Sequence, residues 1–238
     1  MDKRYNNYKS LIVEREAEFG DYIVSKLNFD ARKLLMEVSK QTPVYVFSGA
    51  IRDFLLGYRE LRDLDMVIKN ISKIDIPLSI LGRCQIRKNS FGGYKIHSGN
   101  LTIDVWDLNN TWGIQKENKK GNILSLINSA FFNFSAIVYD YRRKKFIYKE
   151  EFLRFLENKT LEVVYEKNPN QGLCIINSLY YNKKYGFPVG KSLAKWIHDH
   201  YSNDIDFRMV QNRHFGRVLY SNDEIRLFYV MCLYKLMQ

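Results

Sequence analysis

At 238 residues and 46% hydrophobic content, the chain can bury a real core, as one domain or two small ones, and reads as globular and soluble. No apolar run is long enough to span a bilayer, and the opening MDKRYNNYKS lacks the apolar stretch of a signal peptide, so no membrane segment is expected. A net charge of +11 predicts a polyanionic partner, nucleic acid being the natural fit, and three scattered cysteines without metal-ligand spacing (Cys84, Cys174, Cys232) predict reduced thiols in the cytoplasm.

The first thirty residues predict one or two helices interrupted near Gly20. Asp30 is the expected N-cap of a better marked helix, with Leu34, Leu35 and Val38 as its apolar stripe and Pro43 beyond its end. Val44-Tyr45-Val46-Phe47 is β-branched and aromatic and predicts a strand. Ser48-Gly49 breaks it, after which Ile51, Phe54 and Leu55 take helical spacing up to a stop at Gly57. A helix that opens on so small a turn suits an anion, because backbone N–H groups can approach a phosphate closely and the dipole favours negative charge. Asp63-Leu64-Asp65 then runs into Met66, Val67 and Ile68. As a strand it places both carboxylates on one face and Leu64 on the other. Paired Asp oxygens repel one another unless divalent cations neutralise them, the usual arrangement in phosphoryl-transfer sites.

A loop with a short helix around Leu78–Leu81 is predicted next, then a strand over Cys84–Arg87. Phe91-Gly92-Gly93-Tyr94-Lys95-Ile96, the turn His97-Ser98-Gly99-Asn100 and Leu101 to Trp106 read as a hairpin. On its second strand Leu101, Ile103 and Val105 share one face; Thr102, Asp104 and Trp106 share the other. A carboxylate inside so apolar a strand needs a partner, and a metal shared with Asp63 and Asp65 would give Asp104 one. Asp107, of opposite parity, is the competitor. Lys95 is a further candidate near the site. A helix from Ile123, the apolar run Phe131–Asp140, the basic turn Asp140–Lys145 and a return strand Phe146–Tyr148 follow. Beyond them come a short helix within Glu150–Leu161, a helix within Asn168–Phe187, another over Gly190–Tyr201, the basic segment Arg208–Arg217, and a last helix opened by the capping box Ser221–Glu224. The four histidines share no metal-like spacing.

The stretch Ser48-Gly49-Ala50-Ile51-Arg52-Asp53-Phe54-Leu55-Leu56-Gly57 with Asp63-x-Asp65 resembles the head-domain signature of the class II CCA-adding enzymes and bacterial poly(A) polymerases, within the polymerase β-like nucleotidyltransferase superfamily. Ser48 replaces the family's first glycine. The third acid of the family comes from the strand after an F-G-x turn, which matches Phe91-Gly92-Gly93 and the strand carrying Asp104. Two family elements are absent. Ser129-Ala130-Phe131 stands where the family has the R-R-D whose arginines contact the incoming nucleotide, and Asn170-Gln171-Gly172-Leu173-Cys174 stands where E-D-x-x-R reads the base. The amides of Asn170 and Gln171 can still donate to and accept from a base. By the resemblance, the residues after the neck-like segment are expected to be too few for the family's body and tail domains.

The resemblance implies an α+β fold: a nucleotidyltransferase head of mixed sheet and flanking helices over 1–148, and a small helical neck-like domain over 149–238. It implies two Mg²⁺ ions on Asp63, Asp65 and Asp104, outer phosphates held by Ser48, Gly49 and the helix start, and transfer of NMP from an NTP to a hydroxyl, with a tRNA 3′ end as a fitting RNA acceptor. Arg52 either reaches the phosphates or pairs with an acid such as Asp53. The alternatives are transfer to a small-molecule or protein hydroxyl, and a basic RNA-binding pseudoenzyme.

Overall fold

The computed structural model describes residues 3–75, 85–88, 92–117 and 121–238. The helix expected around Leu78–Leu81 lies outside them, as do Cys84 and Phe91. The chain forms two compact units, Met1–Ala130 with Phe134–Leu153, and Phe131–Asn133 with Arg154–Gln238.

The first unit is α+β. Helices α1 (Lys3–Glu14), α2 (Glu16–Lys26) and α3 (Phe29–Gln41) lead into β1 (Val44–Phe47), α4 (Gly49–Leu55) and β2 (Asp63–Ile68). Strands β3 (Gln85–Lys88), β4 (Tyr94–Ser98) and β5 (Leu101–Asp107) come next, then α5 (Trp112–Lys116), α6 (Ile123–Asn128), β6 (Ile137–Asp140) and β7 (Lys145–Tyr148). They build one seven-stranded mixed sheet in the order β3-β4-β5-β2-β1-β6-β7, in which β2 and β5 run parallel and every other pair antiparallel. Strand alternation sends Met66, Ile68, Ile103 and Val105 to one face, where they meet Leu34 and Val38 of α3 around an apolar cavity. The opposite face of the same strands carries the acids.

Helix α2 runs unbroken through Gly20, and the break falls at Arg15 instead. The glycine is there for space rather than for a turn. A Cβ at Gly20 would sit 2.7 Å from the Tyr139 hydroxyl oxygen, which donates to the Glu16 carbonyl at 3.0 Å. The Tyr139 ring is fully buried between Phe19 and Phe146. The Glu16 carboxylate accepts from the Phe146 N–H and pairs with Lys145, tying the helix to β7. Gly20→Ala is expected to lower stability by about 1–2 kcal/mol through overpacking, against the roughly 1 kcal/mol that Ala gains over Gly in a helix. A raised urea midpoint would show that the ring yields. Helix α3 likewise starts earlier than expected. Asn28, not Asp30, is its cap and accepts from the Ala31 N–H at 2.9 Å.

In the second unit, helices α8 (Gln171–Tyr185), α9 (Lys191–His200), α10 (Phe207–Phe215) and α11 (Asn222–Met237) follow α7 (Glu150–Asn158), whose last turns also belong here. Gly186, in the left-handed region at φ 69°, closes α8, and Ser221 with Glu224 forms the expected capping box of α11. The segment Arg208–Arg217 is largely helical, as α10. Cys174 and Cys232 are free thiols in the core, and burial pushes both up to about 12. Among the described residues no helix is long and apolar enough to cross a membrane.

Candidate active site

The acids lie where three strands meet in register. Asp65 on β2 stands directly opposite Asp104 on β5, and Asp63 opposite Thr102. On the far side of β5, Lys95 of β4 stands opposite Asp104, and Arg87 of β3 stands opposite Lys95. One row thus crosses the sheet as Arg87, Lys95, Asp104, Asp65 and, on β1, Phe47. The Lys95 ammonium sits 2.8 Å from the Asp104 carboxylate.

Asp63 and Asp65 share a face, as strand parity requires, but their settings differ. Asp63 is exposed at the mouth of β2, whereas Asp65 keeps only part of its surface open and is otherwise surrounded by protein. Burial first, then the neighbouring charges of Asp104 and Asp63, push the Asp65 carboxyl up to about 7, with Lys95 pulling the other way. Among the described residues no three His, Cys, Asp or Glu side chains converge closely enough to hold a metal ion. Asp65 and Asp104 therefore form the central pair, with Asp63 beside it.

Asp104 and Asp107 fall on opposite faces of β5. Asp107 points to the other face and is 7% exposed. Its carboxylate accepts from the Ile71 N–H at 2.7 Å and from the Asn109 N–H at 2.9 Å, and so pins two loops. Asp107→Asn would turn an amide NH₂ against one of these donors. The expected result is a loss of about 1–3 kcal/mol of stability with activity retained, read by urea unfolding beside a transfer assay. A stable but inactive variant would put Asp107 in the chemistry.

Ser48 stands at a backbone position suited to glycine. Its backbone takes φ 60° and ψ −105°, a conformation glycine adopts freely and serine adopts under strain. A hydrogen bond of 2.8 Å between the Ser48 and Ser135 hydroxyls holds it there. The Ser48 carbonyl accepts from the Ile51 and Arg52 N–H groups, so α4 begins at Gly49 and ends, as expected, before Gly57 at φ 87°. Arg52 makes one of its two expected contacts, the pair with Asp53. It is buried, bonds Asp53 at 2.7 Å, and lays its guanidinium 4.7 Å from the centre of the Phe134 ring. Asn170 and Gln171 lie exposed at the start of α8 in the second unit, and the Asn170 side chain does not cap the helix. Where the resembling family has R-R-D, Ala130 and Phe131 are buried, and Phe131 packs edge-on against Trp196.

The residue that sequence reasoning underrated is Lys95. The hairpin turn is two residues, Gly99-Asn100, with Gly99 at φ 59°, rather than the four-residue turn expected from His97. Tight two-residue turns with glycine match the strand twist, and this one sets the register that brings Lys95 opposite Asp104.

The mixed sheet, with two facing carboxylates on its parallel central pair and a strand–turn–helix beside them, has matches among solved structures. A tRNA nucleotidyltransferase complexed with a primer tRNA and an incoming ATP analogue superposes with a TM-score of 0.61 at 17% identity, over 86% of this chain and 62% of that one. The Thermotoga maritima CCA-adding enzyme complexed with tRNA gives 0.63 at 14% identity, over 89% and 53%. A CCA-adding enzyme with CTP gives 0.62 at 14% identity, over 95% and 54%. The fold is that of the CCA-adding enzymes. The chain spans between half and two thirds of the length of these structures. No family model and no curated sequence matches it.

Proposed function

We propose that this protein is a metal-dependent nucleotidyltransferase that moves NMP from an NTP to a hydroxyl, the 3′ end of an RNA such as tRNA being the acceptor. The observation that carries this reading is the pairing of Asp65 with Asp104 in a fold whose solved examples hold CTP, an ATP analogue and tRNA. In the reaction the 3′ oxygen bonds to the α-phosphorus, the bond to the bridging oxygen breaks, pyrophosphate leaves and the hydroxyl proton passes to solvent.

The donor set fits a divalent cation. Asp65 and Asp104 offer hard oxygens, and Mg²⁺ is commonly held by one or two carboxylates with waters and phosphates completing its shell. Burial first, and then their mutual repulsion, raise the Asp65 carboxyl, and the repulsion is what a cation would relieve. A bound Mg²⁺ supplies charge stabilisation at the α-phosphate and lowers the pKa of the attacking hydroxyl. The chain supplies the rest. Asp63, at the mouth of β2, extends the acidic face; the Ser48-Gly49 turn and the backbone after it hold the outer phosphates, with Arg52 bracing that helix through Asp53; Asn170 and Gln171 are the candidate base readers.

RNA is the favoured acceptor because of the charge distribution. Arg208, Arg213 and Arg217 are exposed on and after α10. The other basic candidate is largely spent on the fold: Arg142 donates to the Ser39 carbonyl, Arg143 lies near Asp140, and Lys145 pairs with Glu16. Charge reversal at Arg208, Arg213 and Arg217 is expected to lower tRNA affinity and to flatten its salt dependence by roughly 0.7–0.9 for each phosphate that is no longer neutralised. Reversal within Arg142–Lys145 should change stability more than binding. Unchanged binding in both would remove RNA from the partners.

The proposal is tested by incubating the full chain with each α-labelled NTP, Mg²⁺ and either total RNA or an RNA-free extract. Label in RNA is the expected outcome. Label in protein or small molecules alone would shift the acceptor, and label in neither fraction would leave an RNA-binding protein without transferase activity.

A further inference from the structure

Two divalent ions are the expectation that the family resemblance brings, yet the site already contains a cation. Lys95 reaches Asp104 at 2.8 Å, and both side chains are only partly exposed, 42% and 29%. This contact is set by the sheet rather than by a chance rotamer. The two residues are direct cross-strand partners on β4 and β5, in a hairpin whose two-residue turn fixes the register. Arg87 stands on the other side of Lys95 in the same row, so like-charge repulsion favours the Lys95 ammonium leaning toward Asp104 rather than outward along β3.

We infer that Lys95 takes the place of one of the two divalent ions, so that this site binds a single divalent cation, shared between Asp65 and the free oxygen of Asp104. The inference rests on the metal site proposed above. The ion pair itself supports it: the Lys95 ammonium already occupies one Asp104 oxygen at 2.8 Å, the position at which a second cation would bind that carboxylate. A lysine in this place also has a chemical consequence. An ammonium is fixed to the chain and carries one charge, so Asp104 stays oriented before any cation arrives, and cation binding needs less reorganisation of the pair.

The test is a Mn²⁺ titration of the nucleotide-free full chain, followed by loss of the free Mn²⁺ resonance, on wild type, Lys95→Met, Lys95→Arg and Asp65→Asn. Wild type and Lys95→Arg should bind one Mn²⁺ per chain. Lys95→Met should bind a second, with the first tightened by up to about fivefold, the scale of one partly exposed ion pair. Asp65→Asn should bind none. Added Mn²⁺ should also raise the melting temperature of Lys95→Met more than that of wild type, which reports on the site even where Lys95→Met is less stable alone. Two Mn²⁺ in wild type, or an unchanged single ion in Lys95→Met, would overturn the inference and leave the carboxylate site standing. No Mn²⁺ in any variant would overturn both, and so would binding undiminished in Asp65→Asn.

Discussion

Asp65→Asn should abolish transfer, by roughly a thousandfold or more, while making the metal-free protein more stable. The two effects come from one cause. Asp65 is packed among protein atoms and faces Asp104, so its carboxyl is held up to about 7, against about 3.9 in an unfolded chain. Between those values the folded state binds more proton than the unfolded state, so with divalent ions chelated, stability is expected to fall as pH rises from about 4 to about 7 and then level off. Asparagine removes that slope. At pH 8 in chelator the variant should melt roughly 3–6 °C higher, equivalent to about 1–2 kcal/mol in a chain of this size. Added Mg²⁺ should stabilise wild type and leave the variant unmoved. Asp104→Asn should be equally inactive but gain less, because it also loses the Lys95 ion pair. An active Asp65→Asn enzyme, or one whose pH–stability profile matches wild type, would show that the pair is not the reaction centre.

Clean C, C, A addition to tRNA trimmed of its CCA is not expected from this protein. Ordered addition needs charged side chains that present donors and acceptors first to CTP and then to ATP, and specificity of this kind comes mainly from leaving those groups unpaired when the wrong base enters. The resemblance places that template at Ser129-Ala130-Phe131 and at Asn170 to Cys174, and these residues are neutral. Burial removes them further. Ala130 and Phe131 are core residues, as is Cys174, which leaves the exposed amides Asn170 and Gln171 as the polar groups of that segment able to meet a base. One base, or several with modest selectivity, is the expected outcome. Sequencing the 3′ ends after reaction with all four NTPs decides it, and accurate restoration of CCA would mean that the base is read elsewhere.

Much of the site was legible because strand parity is a strict rule. Asp63 and Asp65 on one face of β2, and Asp104 and Asp107 on opposite faces of β5, follow from a period of two, while Asp104 standing opposite Asp65 is set by the β2–β5 register. The strand–turn–helix was legible from Ser48-Gly49 and Gly57. What could not be read was what parity does not encode. The hairpin register depended on whether the turn held two residues or four, and that difference decides whether Lys95 meets Asp104 or Thr102. Gly20 looked like a helix break because its reason, the Tyr139 hydroxyl, lies more than a hundred positions away in sequence. That Arg52 is buried against the Phe134 ring while it pairs with Asp53 depends on packing between segments far apart in sequence.

The most direct test of the central claim follows the α-phosphate. Wild type and Asp104→Asn, both shown to be folded, are given α-labelled ATP, CTP, GTP or UTP with Mg²⁺ and total RNA, and the labelled RNA and free pyrophosphate are measured together. The expected result is one pyrophosphate released per nucleotide joined to an RNA 3′ end, with at least one NTP, and neither product from Asp104→Asn. Joining at wild-type rate by Asp104→Asn, or no joining by wild type with any of the four NTPs, would contradict the assignment of Asp65 and Asp104 as the centre of a nucleotidyltransferase that acts on RNA.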